Sequence, residues 1–94
     1  MIRKRSVSGS NQVKVSFALP EDHPYAAHAY VAGSFNDWDA KADRLIHRNN
    51  QTYSAVVTLD KGKRYTYRYV TEDGEWFNVD DADEYEGENS ILLT

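Results

Sequence analysis

The sequence predicts an all-β protein, an antiparallel β-sandwich of about seven strands, on three observations. Apolar and polar residues alternate with the period of a half-buried strand around Val13-Val15-Phe17-Leu19 and again around Tyr65-Tyr67-Tyr69. Turn-forming residues recur about every ten positions. No window carries a capped apolar stripe at the helical period. At 94 residues, a second core would leave each half near or below the size at which chains fold unaided, so one domain is expected.

Residues 1–11 hold charge, Ser and Gly without sustained periodicity and read as a flexible basic N-terminal tail, with the folded domain over 12–94. The first strand starts at Gln12 and stops at Pro20. A second run, 27–35, is rich in Ala, Tyr and Val and breaks at Gly33 and Asn36-Asp37. Residues 44–48 read as one short strand. Asn49-Asn50 then turns the chain into 52–59, because Asn tolerates positive φ. Asp60-Lys61-Gly62-Lys63 is the next turn, and 64–71 follows with its tyrosines on one face and Thr66, Arg68 and Val70 on the other. Asp73-Gly74 turns the chain into 75–79. Beyond an acidic stretch, Ser90-Ile91-Leu92-Leu93 supplies the last strand.

Composition excludes several functions. Eleven Lys and Arg against fifteen Asp and Glu give a net charge of −4, which disfavours nucleic acid or any other polyanion as partner. There is no cysteine, hence no disulfide framework and no thiolate metal site. No stretch reaches the roughly 18 apolar residues of a membrane span, and Arg3-Lys4-Arg5 lacks the apolar run of a signal peptide. A cytoplasmic location is expected.

The aromatic fraction, 13% with seven Tyr and two Trp, is high for such a chain. Both tryptophans lie beside turns, in Asn36-Asp37-Trp38-Asp39 and Asp73-Gly74-Glu75-Trp76. An isolated Trp in a small domain is most often a core anchor. Indoles placed among charges beside turns have another use, as platforms on which the apolar faces of sugars stack while the hydroxyl rims seek amides and guanidinium groups. Arg68 points outward if its tyrosine neighbours point inward, and two readings stay open for it: a sugar contact, or a pair with the acidic segment.

The combination of Gly33-Ser34-Phe35-Asn36-Asp37-Trp38, Tyr67-Arg68-Tyr69, Asp73-Gly74-Glu75-Trp76 and Glu88-Asn89-Ser90-Ile91-Leu92-Leu93 resembles the glycogen- and starch-binding modules of carbohydrate-binding family 48. That family includes the glycogen-binding domain of the AMP-activated protein kinase β subunit and the domains preceding isoamylases and branching enzymes. The resemblance covers about residues 12–94 and implies an immunoglobulin-like, early-set sandwich. It implies an α-1,4-glucan ligand, glycogen or a maltooligosaccharide, stacked on Trp38 and Trp76. Arg68 falls at a position held by lysine in the kinase branch, exchanging a point donor for a planar fork. Asn89 matches a loop asparagine that reaches sugar hydroxyls. Tyr85 and Gly87 stand where the family carries Leu and Thr in the loop beside the sugar. A glycogen-metabolising enzyme or kinase is the protein partner that the resemblance implies.

An enzyme is not expected. Glycoside hydrolysis needs two carboxylates about 5 to 10 Å apart across a bound sugar, and the candidates here, Asp37 with Asp39 and Asp80 with Asp81, sit on loops that read as exposed. Neither a phosphate cradle nor a Ser-His-Asp order is present. Nine acidic residues and no basic one lie over 72–88, yet their spacing fails the calcium-loop pattern, and a solvated loop is expected. His23, His28 and His47 share no metal-ligand spacing and read as surface residues without carboxylate company, so no cofactor or metal is expected. The expected function is a non-catalytic α-glucan-binding module. The alternative is an interaction module of the same fold that docks a partner enzyme or kinase through the aromatic patch and does not bind sugar.

Overall fold

The computed structural model describes residues 2–94, and these form two antiparallel sheets facing each other across one core. The first sheet has the order β1 (Ile2–Ser6), β2 (Gln12–Pro20), β6 (Thr52–Asp60), β5 (Ile46–His47). The second runs β4 (Asp43–Arg44), β3 (Ala29–Gly33), β7 (Arg64–Thr71), β10 (Asn89–Leu93), β9 (Glu84–Glu86), with β8 (Trp76–Phe77) bonded to β7 beside that path. The described residues contain two single 3-10 turns and no α-helix. The all-β expectation holds, with the strands more finely divided than the sequence implied.

Alternation puts Val13, Val15, Phe17 and Leu19 of β2 on the inner face, opposite Leu59, Val57, Ala55 and Tyr53 of β6. From the other sheet Val31, Tyr67, Tyr69 and Leu92 close the core. Phe17 meets the Tyr67 ring edge-on at 5.0 Å between centroids. Each such fully buried side chain contributes about 1.5 to 3 kcal/mol relative to exposure.

The structure corrects four local expectations. Residues 1–11 were expected to be a flexible tail; Met1 lies outside the described residues, but Ile2–Ser6 form β1, paired with β2 from Ile2↔Phe17 to Ser6↔Val13. Its ladder gives β2 a second partner, Ile2 packs against the core, and Lys4 Nζ holds Asp83 at 2.5 Å. Periodicity is silent here because every residue from Arg3 to Ser6 is exposed. The strand expected over 44–48 is split by Leu45, which is fully buried and donates its N–H to the Ala29 carbonyl, so that β4 and β5 belong to different sheets. Positive φ in the following turn falls on Gln51 at 65°, not on Asn49 or Asn50.

The acidic stretch, finally, is more than a solvated loop. It contains β9, and Asp81 reaches inward to accept hydrogen bonds from the hydroxyls of Tyr67 and Tyr69, each at 2.9 Å. Two buried phenols are thereby satisfied by one carboxylate. Burial first, and then the Asp81 charge, pushes both phenols far above the ordinary tyrosine range.

Candidate functional site

The loop after β3 is built to throw a side chain outward. At Gly33 the chain passes so close to β7 that a Cβ would sit 2.3 Å from the Thr66 carbonyl oxygen, which only glycine permits. Asn36 then clasps the turn: its Oδ1 accepts from the Gly33 N–H at 3.0 Å, and its Nδ2 donates to the Val31 carbonyl at 3.1 Å and to Asp43 at 2.8 Å. Asp37 and Trp38 follow in the left-handed region, φ 56° and 58°, and the Trp38 N–H returns to the Gly33 carbonyl at 2.9 Å. Such residues cost of order 1 kcal/mol each, and the Asn36 clasp supplies the bonds that hold them.

Trp76 arrives from the other side. Thr71 organises the turn before it, its Oγ1 accepting from the Glu75 N–H at 3.0 Å and its carbonyl from Gly74 at 2.9 Å, with Gly74 at φ 89°. In β8, Trp76 pairs with Val70, and Ala32 of β3 pairs with Arg68. Strand alternation therefore sets Ala32, Arg68, Val70 and Trp76 on the outer face of the second sheet, opposite to the buried tyrosines. Trp38 and Trp76 remain 36% and 41% exposed, large values for indoles in a small domain, and their ring centroids are 6.3 Å apart.

Arg68 lies between them and the β9–β10 hairpin. Its guanidinium carbon is 5.8 Å from the Trp76 ring centroid, a cation–π distance. Its Nε donates to Asn78 Oδ1 at 3.2 Å, and one terminal nitrogen is 3.6 Å from Glu88. Arg68 thus borders the indole and also approaches the acidic segment. Asn78, which sequence reasoning passed over, ties Arg68 to that segment through a second bond from its Nδ2 to the Glu88 carbonyl. An asparagine in a loop carries no signal of its own before its neighbours are known.

Trp38, Arg68, Trp76 and Asn89 together line a shallow depression of about 320 Å³. Tyr85 and Gly87 do not join them. Tyr85 pairs with Ser90, whose side chain faces the core side of the sheet, so alternation turns the phenol away from Asn89; its hydroxyl donates instead to Asp80 at 2.7 Å. Gly87, at φ 61°, takes the first place of the two-residue turn between β9 and β10. A larger depression of about 500 Å³ on the first sheet is lined by Arg3, Lys4, Arg5, Lys14, Ser16 and Val56, and it has no ring on which a sugar stacks.

Among the described residues no group of three or more His, Asp or Glu side chains is placed to hold a metal ion, and no helix is long and apolar enough to cross a membrane. The histidines are not all without carboxylates: His28 lies 3.1 Å from Glu72 and His47 2.9 Å from Glu21, both exposed. His23 stacks on Phe77 at 5.5 Å.

A sandwich that presents paired indoles, a guanidinium and an amide on one open sheet face has the form of a binding module, with a surface in place of a catalytic cleft. Comparison with known proteins agrees. Residues 9–85 match carbohydrate-binding module 48, the isoamylase N-terminal domain, and the chain belongs to that family. The chain is also 36% identical over 80 residues to an amylopullulanase of Thermoanaerobacterium thermosulfurigenes. That alignment covers 81% of this chain and 4% of the relative, so the chain spans a small fraction of that protein's length. The comparison with solved structures found no match for the chain. The protein is accordingly a carbohydrate-binding module of early-set β-sandwich form.

Proposed function

We propose that the module binds neutral α-1,4-glucan, of glycogen or starch type, on the outer face of the second sheet. Trp38 and Trp76 stack on glucose rings, and Arg68 and Asn89 donate to hydroxyls. The observation that carries this reading is the convergence of those four side chains, from four separate segments, on one open depression. The two indole planes are tilted by 54°, which suits a curved chain of sugars better than a flat crystalline surface. The module's task is to localise: it holds glucan near whatever acts on it, a glycogen-metabolising enzyme or kinase.

Titration of the purified domain with maltoheptaose, read by tryptophan fluorescence, tests this. Saturable quenching or enhancement at sub-millimolar to millimolar sugar is expected, with less than about threefold change in affinity between 50 and 500 mM salt because the ligand is neutral. Flat emission at millimolar sugar assigns the patch to protein docking instead.

A further inference from the structure

On one side of the sandwich the chain itself closes the gap between sheets, since β4 and β5 are separated only by Leu45. On the other side both sheets end in free edges, β1 and β9. The Lys4–Asp83 ion pair at 2.5 Å, with Asp83 also accepting from the Leu93 N–H at 2.9 Å, fixes these two edges side by side. The edges carry opposite charge. β1 reads Ile2-Arg3-Lys4-Arg5-Ser6 and β9 reads Glu84-Tyr85-Glu86, exposed throughout except for half-buried Ile2.

Edge strands offer unpaired backbone N–H and C=O groups to another strand, and charge on an edge ordinarily discourages such pairing. Here the charge discriminates between two arrangements. A two-fold axis perpendicular to the sheets sets β1 against β1 and β9 against β9, like charge on like. A two-fold axis along the strands, midway between the edges, sets β1 of each copy against β9 of the other.

In that second arrangement the outer face of one copy's first sheet runs on into the outer face of the other copy's second sheet. Arg3 and Arg5, opposite Ser16 and Lys14, lie on the outer face of the first sheet, and Glu84 and Glu86, opposite Ile91 and Asn89, lie on the outer face of the second. Arginines and glutamates of the two copies then meet as cross-strand pairs on one surface. Arg3, Arg5 and Glu84 make no ion pair among the described residues, and Glu86, bonded to Arg64, is still 65% exposed at its side chain.

We infer that the module self-associates as a closed two-fold dimer through reciprocal pairing of β1 with β9 of a second copy. The contact is isologous and satisfies both free edges at once, so it terminates at two chains.

Sedimentation velocity on the full 94-residue chain in 20 mM NaCl, over micromolar to millimolar protein, is expected to show mass rising from 10.8 kDa toward twice that value. Raising NaCl to 500 mM is expected to weaken the association at least tenfold. Arg3→Glu with Arg5→Glu, and separately Glu84→Arg with Glu86→Arg, should each be monomeric, with folding checked by circular dichroism. An equimolar mixture of the two should recover a heterodimer, because both edge contacts are again complementary. Lys41→Glu with Arg44→Glu carries the same net charge as the first variant but alters the turn into β4, on the side of the sandwich opposite β1 and β9, and should dimerise as wild type does. Wild type that stays monomeric at millimolar concentration in 20 mM NaCl overturns the inference. So does dimerisation that survives in either edge variant, a mixture that remains monomeric, or a turn variant as defective as the edge variants.

Discussion

Trp38 and Trp76 are neighbours, with ring centroids 6.3 Å apart, although 38 positions and four strands, β4 to β7, separate them in the chain. One indole is delivered by a strained left-handed loop and the other by a two-residue strand, and both rings stay partly exposed. Trp38→Ala and Trp76→Ala are each expected to weaken glucan binding by about 1 to 3 kcal/mol, the scale of a lost stacking contact. Stability should change by less than about 1 kcal/mol, against roughly 3 to 5 for removal of a core aromatic. Paired urea denaturation and sugar titration read both quantities, and wild-type affinity in two folded variants ends the stacking proposal.

Arg68 is held by Asn78 and Glu88 before any ligand arrives, which lowers the ordering cost of a contact from its guanidinium. Arg68→Ala should cost about 0.5 to 1.5 kcal/mol of glucan affinity, less than either tryptophan, because a neutral hydroxyl is the acceptor. Calorimetry on the variant checks this. A loss exceeding that of Trp76→Ala would place the main binding contribution on charge and not on stacking.

Tyr67 and Tyr69 both donate to Asp81, and burial followed by that charge raises both phenols well above their ordinary range. In the unfolded chain they ionise near pH 10. Their contribution to stability is therefore complete below about pH 10 and is lost as pH rises above it, because only the unfolded state releases these protons. Absorbance at 295 nm during alkaline titration should show these two phenols appearing only together with the unfolding transition. Smooth ionisation of all seven tyrosines in a chain still folded by circular dichroism would contradict the arrangement.

Asp83 gives the opposite limb. Burial pushes its carboxyl up, but the Leu93 N–H and the Lys4 ammonium outweigh burial and hold it below the usual carboxylate value. A depressed carboxylate stabilises the fold fully above its unfolded pKa, near 4, and the contribution fades as pH falls through the folded value. Asp83→Asn should be less stable than wild type at pH 6, with the gap closing below about pH 4. Urea midpoints from pH 2.5 to 6 measure it, and a gap independent of pH removes the assignment.

The strands that the sequence announces are those whose two faces differ in solvent. Val13 to Leu19 and Tyr65 to Tyr69 alternate because one face of each is sealed in the core, and β7 spans the residues the pattern predicts. β1 and β9 give no such pattern: apart from Ile2 their residues are exposed on both faces, and they exist because a neighbouring strand supplies the ladder. Leu45 similarly looks like the middle of a strand and is instead the crossing point between sheets, which only the position of Ala29 reveals.

By itself, then, the sequence determined the all-β class, the inward tyrosine face and, through a spaced set of motifs, the family to which Trp38, Arg68, Trp76 and Asn89 belong as candidates. Only the tertiary structure decided that those four share one depression while Tyr85 turns away, that Asn78 holds Arg68, and that Asp81 serves two buried phenols. The physical reason is range. Period-two alternation is written locally in every strand, whereas the meeting of loops 38 residues apart depends on loop closure and register, which long-range packing fixes once the sheets have paired.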